Sequence, residues 1–417
     1  MKKSIFFLIL SILIISAIFI NYTFLNSFFF IDEIGRVKSA QNVNLNNIFL
    51  QPYPILFILF LKLLLFLFND IFIIRYVFFF IYLLSIIILF LYVYKWSKDY
   101  FLSFISTFLF IICARIYNNI ISYYVLIYLF SIITLYWYKS IDKLTVKQIV
   151  IGNFLFLCGS LFFPFSIFFY FVIYLFLLQK FNFKKTISFV ILFFFTALIL
   201  YYHLKITSTN NWNIIEIQDQ NILYSFFSPL KNFIVNIFFV SKEHYLIVRR
   251  IIIILYLFLI LISLILNFKK LISCNHFKFY FILFSATYLL LFSNYLILKK
   301  FSFKWLQNLW IPFLIAVSYI ICYNAKTKKK AFIIFLFLVV YYINLTGNET
   351  NHNLIIEKNE KKLYEEILHL QNNSANSIFI FSNFILWTKF DVFDKFDCRY
   401  GVISGTIEEN YFMTSPI

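Results

Sequence analysis

Apolar runs recur along the chain from Ser4 to Leu345, separated by short breaks of polar and basic residues. Most approach the length a helix needs to cross roughly 30 Å of hydrocarbon, about twenty residues at about 1.5 Å each. Lipid offers no hydrogen-bond partners to an open backbone, so each run is expected to be helical. The pattern predicts about eleven spans, at Ser4–Ile20, Arg75–Tyr94, Tyr100–Ala114, Asn119–Tyr138, Ile149–Phe163, Pro164–Gln179, Thr186–His203, Leu246–Leu266, Phe279–Leu298, Trp305–Tyr323 and Ala331–Leu345. The stretch Ile149–Gln179 is too long for one span, and Pro164 near its centre suits a tight hairpin between two short helices.

One run behaves differently. Pro52–Phe68 is apolar but short, and Lys62 interrupts it. If it crossed the membrane, every later basic cluster would land outside. It is therefore expected to be a re-entrant or interfacial helix in the outer leaflet. With that choice the groups Lys95/Lys98, Lys139/Lys143/Lys147, Lys180/Lys184/Lys185, Lys269/Lys270 and Lys326/Lys328/Lys329/Lys330 all fall on the side of Lys2 and Lys3. Short Lys-rich loops mark the cytoplasmic face, which places the N-terminus inside and the C-terminus outside. The start, Met1-Lys2-Lys3 before Ser4–Ile20, has the outline of a signal peptide, but no small-x-small cleavage site closes it before Asn21, so an uncleaved first span is expected.

Composition agrees with a multi-pass integral membrane protein of bacterial inner-membrane type. Hydrophobic residues make up 63% of 417 positions and charged residues 13%, against roughly 45–50% and about 25% in a soluble domain. A soluble globular domain is thereby excluded. The net charge of +18 would suit nucleic acid, but the cations stand singly or in short clusters beside apolar runs. There they serve orientation and contact with anionic membrane lipids, and nucleic acid is not an expected partner. Five scattered cysteines, with no Cys-x-x-Cys pair and no zinc spacing, are expected to be free apolar fillers.

Two domains follow. Residues 1–345 form a transmembrane module with outer loops at 22–51 and 204–245. Residues 346–417, which hold ten of the eighteen acidic residues, form a small extracytoplasmic α+β segment. Within it Glu357–Leu370 has helical periodicity, and Ser377–Trp387 resembles a buried strand.

Candidate chemistry begins in the first outer loop. Only Asp32, Glu33, Asp70, Asp99 and Asp142 are acidic in the first two hundred residues, and two of these are adjacent. An acidic pair in a loop is ordinarily a solvated surface feature. This one abuts the apolar stretch Phe28–Ile31 and is followed by Arg36 and Lys38 on what would be a short helix. A partly shielded carboxylate at the outer face can act as a general base. Arg75 and Arg115 fall at the outer ends of expected spans, where guanidinium either binds phosphate or snorkels to head groups.

The acidic pair after the first span, the spacing Asp32-Glu33-x-x-Arg36-x-x-x-Ala40, the stretch Gln51-Pro52-Tyr53-Pro54 and Arg75 together resemble the GT-C membrane glycosyltransferases, of the protein O-mannosyltransferase and aminoarabinose transferase type. The motif order covers about the first 140 residues, and beyond them the likeness is one of topology. The resemblance implies an all-α polytopic bundle whose site faces away from the cytoplasm. It also implies a polyprenyl-phosphate-linked sugar donor and a glycan, lipid or protein acceptor. Asp32 would be the catalytic base, and Glu33 would orient acceptor, donor or a divalent cation, the metal requirement being unknown. Arg36 and Tyr53 would touch substrate, while Arg75, Arg115, Lys300 and Lys304 would face the donor phosphate. Family members often carry an Arg-Tyr pair where this chain has Lys304-Trp305.

Two other classes compete. An O-antigen polymerase or ligase would rest on Arg and His in later loops and survive loss of Asp32. A transporter or lipid-linked sugar flippase would show duplicated halves and charges at mid-membrane, neither of which the pattern displays.

Overall fold

The structure is a computed structural model that describes residues 2–25, 31–44, 46–51, 53–68, 70–113, 120–181, 183–207, 215–216, 246–298, 300–301, 309–323, 326, 329–336, 338–339, 362, 379–381, 399–402 and 411–414. It is a bundle of helices, apolar except for the amphipathic α2: α1 (Lys2–Leu25), α2 (Ile31–Asn42), α3 (Ile55–Leu67), α4 (Ile71–Ser97), α5 (Tyr100–Cys113), α6 (Tyr123–Ser140), α7 (Val146–Phe162), α8 (Ser166–Lys180), α9 (Phe183–Thr207), α10 (Leu246–Ser273), α11 (Asn275–Leu298) and α12 (Trp310–Cys322). Residues 329–336 and 338–339 are also helical, and the rest of the expected last span lies outside the described residues.

Polar residues between the apolar runs set the helix ends. Asp70 caps α4 by accepting the Phe72 N–H at 2.7 Å, and Asp99 caps α5 by accepting the Phe101 and Leu102 N–H groups at 2.8 and 3.3 Å. Ser122 and Thr145 do the same for α6 and α7. Between α4 and α5 the chain turns at Lys98, whose φ of 55° is left-handed and whose N–H reaches the Tyr94 carbonyl at 2.9 Å. The hairpin expected at Pro164 is present. Ser166 Oγ donates toward the Gly159 and Phe163 carbonyls at 2.8 and 2.6 Å, closing the turn between α7 and α8. Tyr170 crosses α7 so closely that a Cβ at Gly159 would lie 1.8 Å from its hydroxyl.

The long α4 is the axis, packed by α1, α5 and α6. Its interior is aromatic: Phe57 meets Phe78 and Tyr123 edge-on at 6.0 and 5.6 Å, and Phe60 meets Phe162 at 6.2 Å. Such pairs add about 0.5–1.5 kcal/mol each beyond burial. Two of those rings belong to α3, whose Phe57, Ile58, Leu61 and Leu64 are buried while Phe66 on the other side is 82% exposed. Lys62, the charge that interrupted this run, donates to the Val43 carbonyl just after α2. Thirteen residues make a rod of about 20 Å, shorter than the hydrocarbon layer.

Helix length limits the span count. Among the described residues three segments, Ser4–Asn21, Ile71–Ser97 and Asn275–Ser293, are long and apolar enough to cross a membrane. The apolar segments Ile55–Leu67, Tyr100–Ile112, Val146–Phe162, Ser166–Lys180, Thr186–Tyr202 and Trp310–Cys322 are shorter. Eleven crossings therefore do not follow from helix length, because capping residues and tight turns cut several runs below about twenty residues.

Strands are brief. β1 (Ile215–Glu216) pairs antiparallel with β2 (Lys300–Phe301), tying the second long loop to the approach to α12. Near the C-terminus β3 (Phe379–Phe381), β4 (Arg399–Val402) and β5 (Tyr411–Thr414) form an antiparallel sheet in the order β3-β5-β4. The strand expected within Ser377–Trp387 is thus present as three residues. The helix expected at Glu357–Leu370 lies outside the described residues apart from Lys362, so the α+β character of 346–417 goes no further than this sheet.

Candidate functional site: a buried acid between two arginines

Helix α2 owes its position to a stripe of Ile34, Val37 and Ala40, all buried, at the three-to-four-residue spacing that puts side chains on one helix face. Glu33 and Arg36, one turn apart, are carried inward with it, at 0% and 3% exposure. A carboxylate taken out of water needs a cation and further donors. Glu33 has both. One oxygen lies 2.5 Å from Arg75 Nη2 near the start of α4, and the other accepts the Ile121 N–H at 3.0 Å.

Arg36 completes the arrangement. Its Nη1 donates to the Ile121 carbonyl at 2.8 Å, and its guanidinium carbon stands 5.9 and 5.7 Å from the ring centroids of Tyr53 and Tyr123. The backbone of Ile121 is thus held at its N–H by Glu33 and at its C=O by Arg36, so a single turn of α2 grips the lead-in to α6. Tyr53 lies across the helix at Gly35, where a Cβ would come within 2.8 Å of its hydroxyl. Tyr123 continues outward through a 3.2 Å contact with the Tyr124 hydroxyl.

The site residues expected from the sequence are brought together in part. Glu33, Arg36, Tyr53 and Arg75 form one cluster, although they come from three stretches of chain. Asp32 lies in the first turn of α2, and its side chain lies outside the described residues. Arg115 and Lys304 also lie outside them. Lys300 is in β2, opposite Glu216 in register, and its side chain lies outside the described residues. Arg75 does not snorkel to head groups: it is 1% exposed and engaged by Glu33. Glu33 in turn has one oxygen on Arg75 and the other on a backbone N–H, which makes it a holder of local structure.

Ile121 and Tyr123 were not singled out by the sequence. A backbone peptide leaves no mark in residue type, and Tyr123 reads as one more aromatic in an aromatic-rich run. Among the described residues no group of three or more His, Cys, Asp or Glu side chains could hold a metal ion. The three ionic side chains Glu33, Arg36 and Arg75 together carry one net positive charge, in an apolar surround where electrostatic interactions are strengthened. Comparison with protein-family models, with curated proteins and with solved structures returns no match to this chain.

Proposed function

We propose that this chain is an integral-membrane glycosyltransferase of GT-C type. In this reading it crosses the bilayer about eleven times and moves a sugar from a polyprenyl-phosphate-linked donor to a glycan, lipid or protein acceptor on the extracytoplasmic face. The observation that carries the reading is the docking of the helix bearing Asp32-Glu33, through Glu33 on Arg75 and through its own Arg36 on the Ile121 carbonyl, at the end of α4 opposite its lysine. Arg75 and Lys95 lie twenty residues apart on that helix, about 30 Å at about 1.5 Å per residue. The positive-inside rule assigns the Lys95 end to the cytoplasm and so the Glu33 end to the opposite face.

In the proposed reaction Asp32 accepts the proton of an acceptor hydroxyl. The acceptor oxygen bonds to the anomeric carbon while the bond from that carbon to the lipid-phosphate oxygen breaks, through an oxocarbenium-like state. The phosphate leaves with its electron pair and needs positive charge beside it. Arg75 is paired with Glu33 and Arg36 donates to the Ile121 carbonyl, so that task is assigned to Arg115, Lys300 and Lys304, with Arg36 and Tyr53 on the substrate side. Glu33 and Arg75 hold α2 in place.

A transporter would keep its ion pair near mid-membrane, whereas Arg75 sits within the first two turns of a 27-residue helix. The test is sugar transfer from a polyprenyl-phosphate donor in membranes carrying Asp32→Asn. Loss of a general base predicts a rate lower by about 10²–10⁴-fold. A wild-type rate in the variant removes Asp32 from the role, and a chain without transfer to any acceptor removes the class.

A further inference from the structure

At the opposite end of the bundle the termini of α4, α6, α8 and α12 meet the beginning of α11. Lys95 donates to the Tyr136 hydroxyl at 3.0 Å, linking α4 to α6, and His276 stacks on Tyr319, linking α11 to α12. Within this layer Lys139, in the last turn of α6, holds its ammonium 4.1 Å from the centroid of the Phe279 ring and 5.9 Å from that of Tyr280. Lys180, the last residue of α8, reaches across to donate to the Ile141 carbonyl just past α6. That contact brings a second ammonium within electrostatic reach of Lys139.

The plain account is that lysines in last turns neutralise helix C-termini. Magnitudes decide against it as a full account. Each helix end supplies about half a negative charge, so two ends leave about one positive charge unbalanced. The N-terminus of α11 adds about half a charge of the same sign. No carboxylate forms an ion pair with either lysine among the described residues; the nearest acid in sequence, Asp142, is exposed and makes none. His276, at the second position of α11 and within electrostatic reach of Lys139, has a buried Nδ1 with no hydrogen-bond partner. Lys139 thus lies over Phe279 and Lys180 over Tyr138, two rings stacked 5.1 Å apart, with His276 within electrostatic reach of Lys139, while Asp99, the carboxylate that acts on this layer, does so on Tyr319 and pairs with neither lysine.

We propose that Lys139 and Lys180 form a phosphate-binding site at this end of the bundle, floored by Phe279 and bordered by His276, that takes the phosphate of an anionic lipid head group or a free phosphate. Lys180 is exposed and offers the way in, while Lys139 is partly buried against the ring face. Burial, with the charge of Lys180 adding to it, pushes the Lys139 ammonium down to about 8, against a smaller opposing effect of Cys274. A bound anion reverses that penalty, which is the sense expected of a group waiting for one. The site is independent of the transferase reading, since it shares no residue with the Glu33 cluster.

The experiment is native mass spectrometry of the full chain released from vesicles of equal phosphatidylglycerol and phosphatidylcholine. The wild type is expected to retain phosphatidylglycerol in preference. The pair Lys139→Gln with Lys180→Gln should lower that preference about tenfold, the scale of one lost charge-assisted contact. The pair Lys139→Arg with Lys180→Arg should keep it, which separates charge from folding. Displacement by inorganic phosphate supports the site with free phosphate as a sufficient ligand, and retention against phosphate supports it with the lipid as the source. Equal retention of the two lipids by the wild type, or an unchanged preference in the Gln pair, overturns the proposal.

Discussion

Glu33 and Arg75 are separated by 42 positions in the chain and by 2.5 Å in space. Removing one member strands the other as an unpaired charge in an apolar interior, which is costlier than removing both. Arg75→Met alone should lower stability in detergent by about 3–5 kcal/mol, read as a fall in the unfolding midpoint. Adding Glu33→Leu to it should restore much of that loss while still disturbing the grip on Ile121. If the single and double variants unfold alike, the pair is not coupled. Both residues could be picked out from the sequence, because charges beside apolar runs are few. Their partnership could not, since nothing in local spacing says which distant charge a buried carboxylate will meet.

At the level of elements, the hairpin between α7 and α8 was legible because the run Ile149–Gln179 is too long for one span and Pro164 breaks it near the centre. The shortness of α3 was legible from the length of its apolar run and from Lys62. What could not be read was that the same helix packs Phe57 and Phe60 against α4, α6 and α7, because an evenly apolar run hides which side faces protein. The hairpin also makes a sharp prediction. Gly159→Ala pushes a methyl into the Tyr170 hydroxyl and should destabilise the chain by about 1–3 kcal/mol, as overpacking does. Removing that hydroxyl with Tyr170→Phe should recover part of the loss in the same thermal assay. No recovery would place the strain elsewhere.

At the scale of the whole molecule, the two polar layers lie at opposite ends of α4. Fusing a reporter active only in the cytoplasm to the C-terminus should give no signal if the odd span count holds. A strong signal would reverse the face assigned to Asp32. Span number was the least legible property, since apolar runs on one side of a tight turn and on the other read alike, while helix length depends on where caps fall. The fixed separation of the layers carries its own consequence. With Arg75 bonded to α2 at one end and Lys95 to α6 at the other, α4 cannot slide past those two helices to suit a thicker or thinner bilayer without breaking one of those bonds. Hydrophobic mismatch is then left to tilting of the bundle as one body and to the surrounding lipid, and the protein should be most stable in vesicles whose acyl chains give a hydrocarbon thickness of about 30 Å.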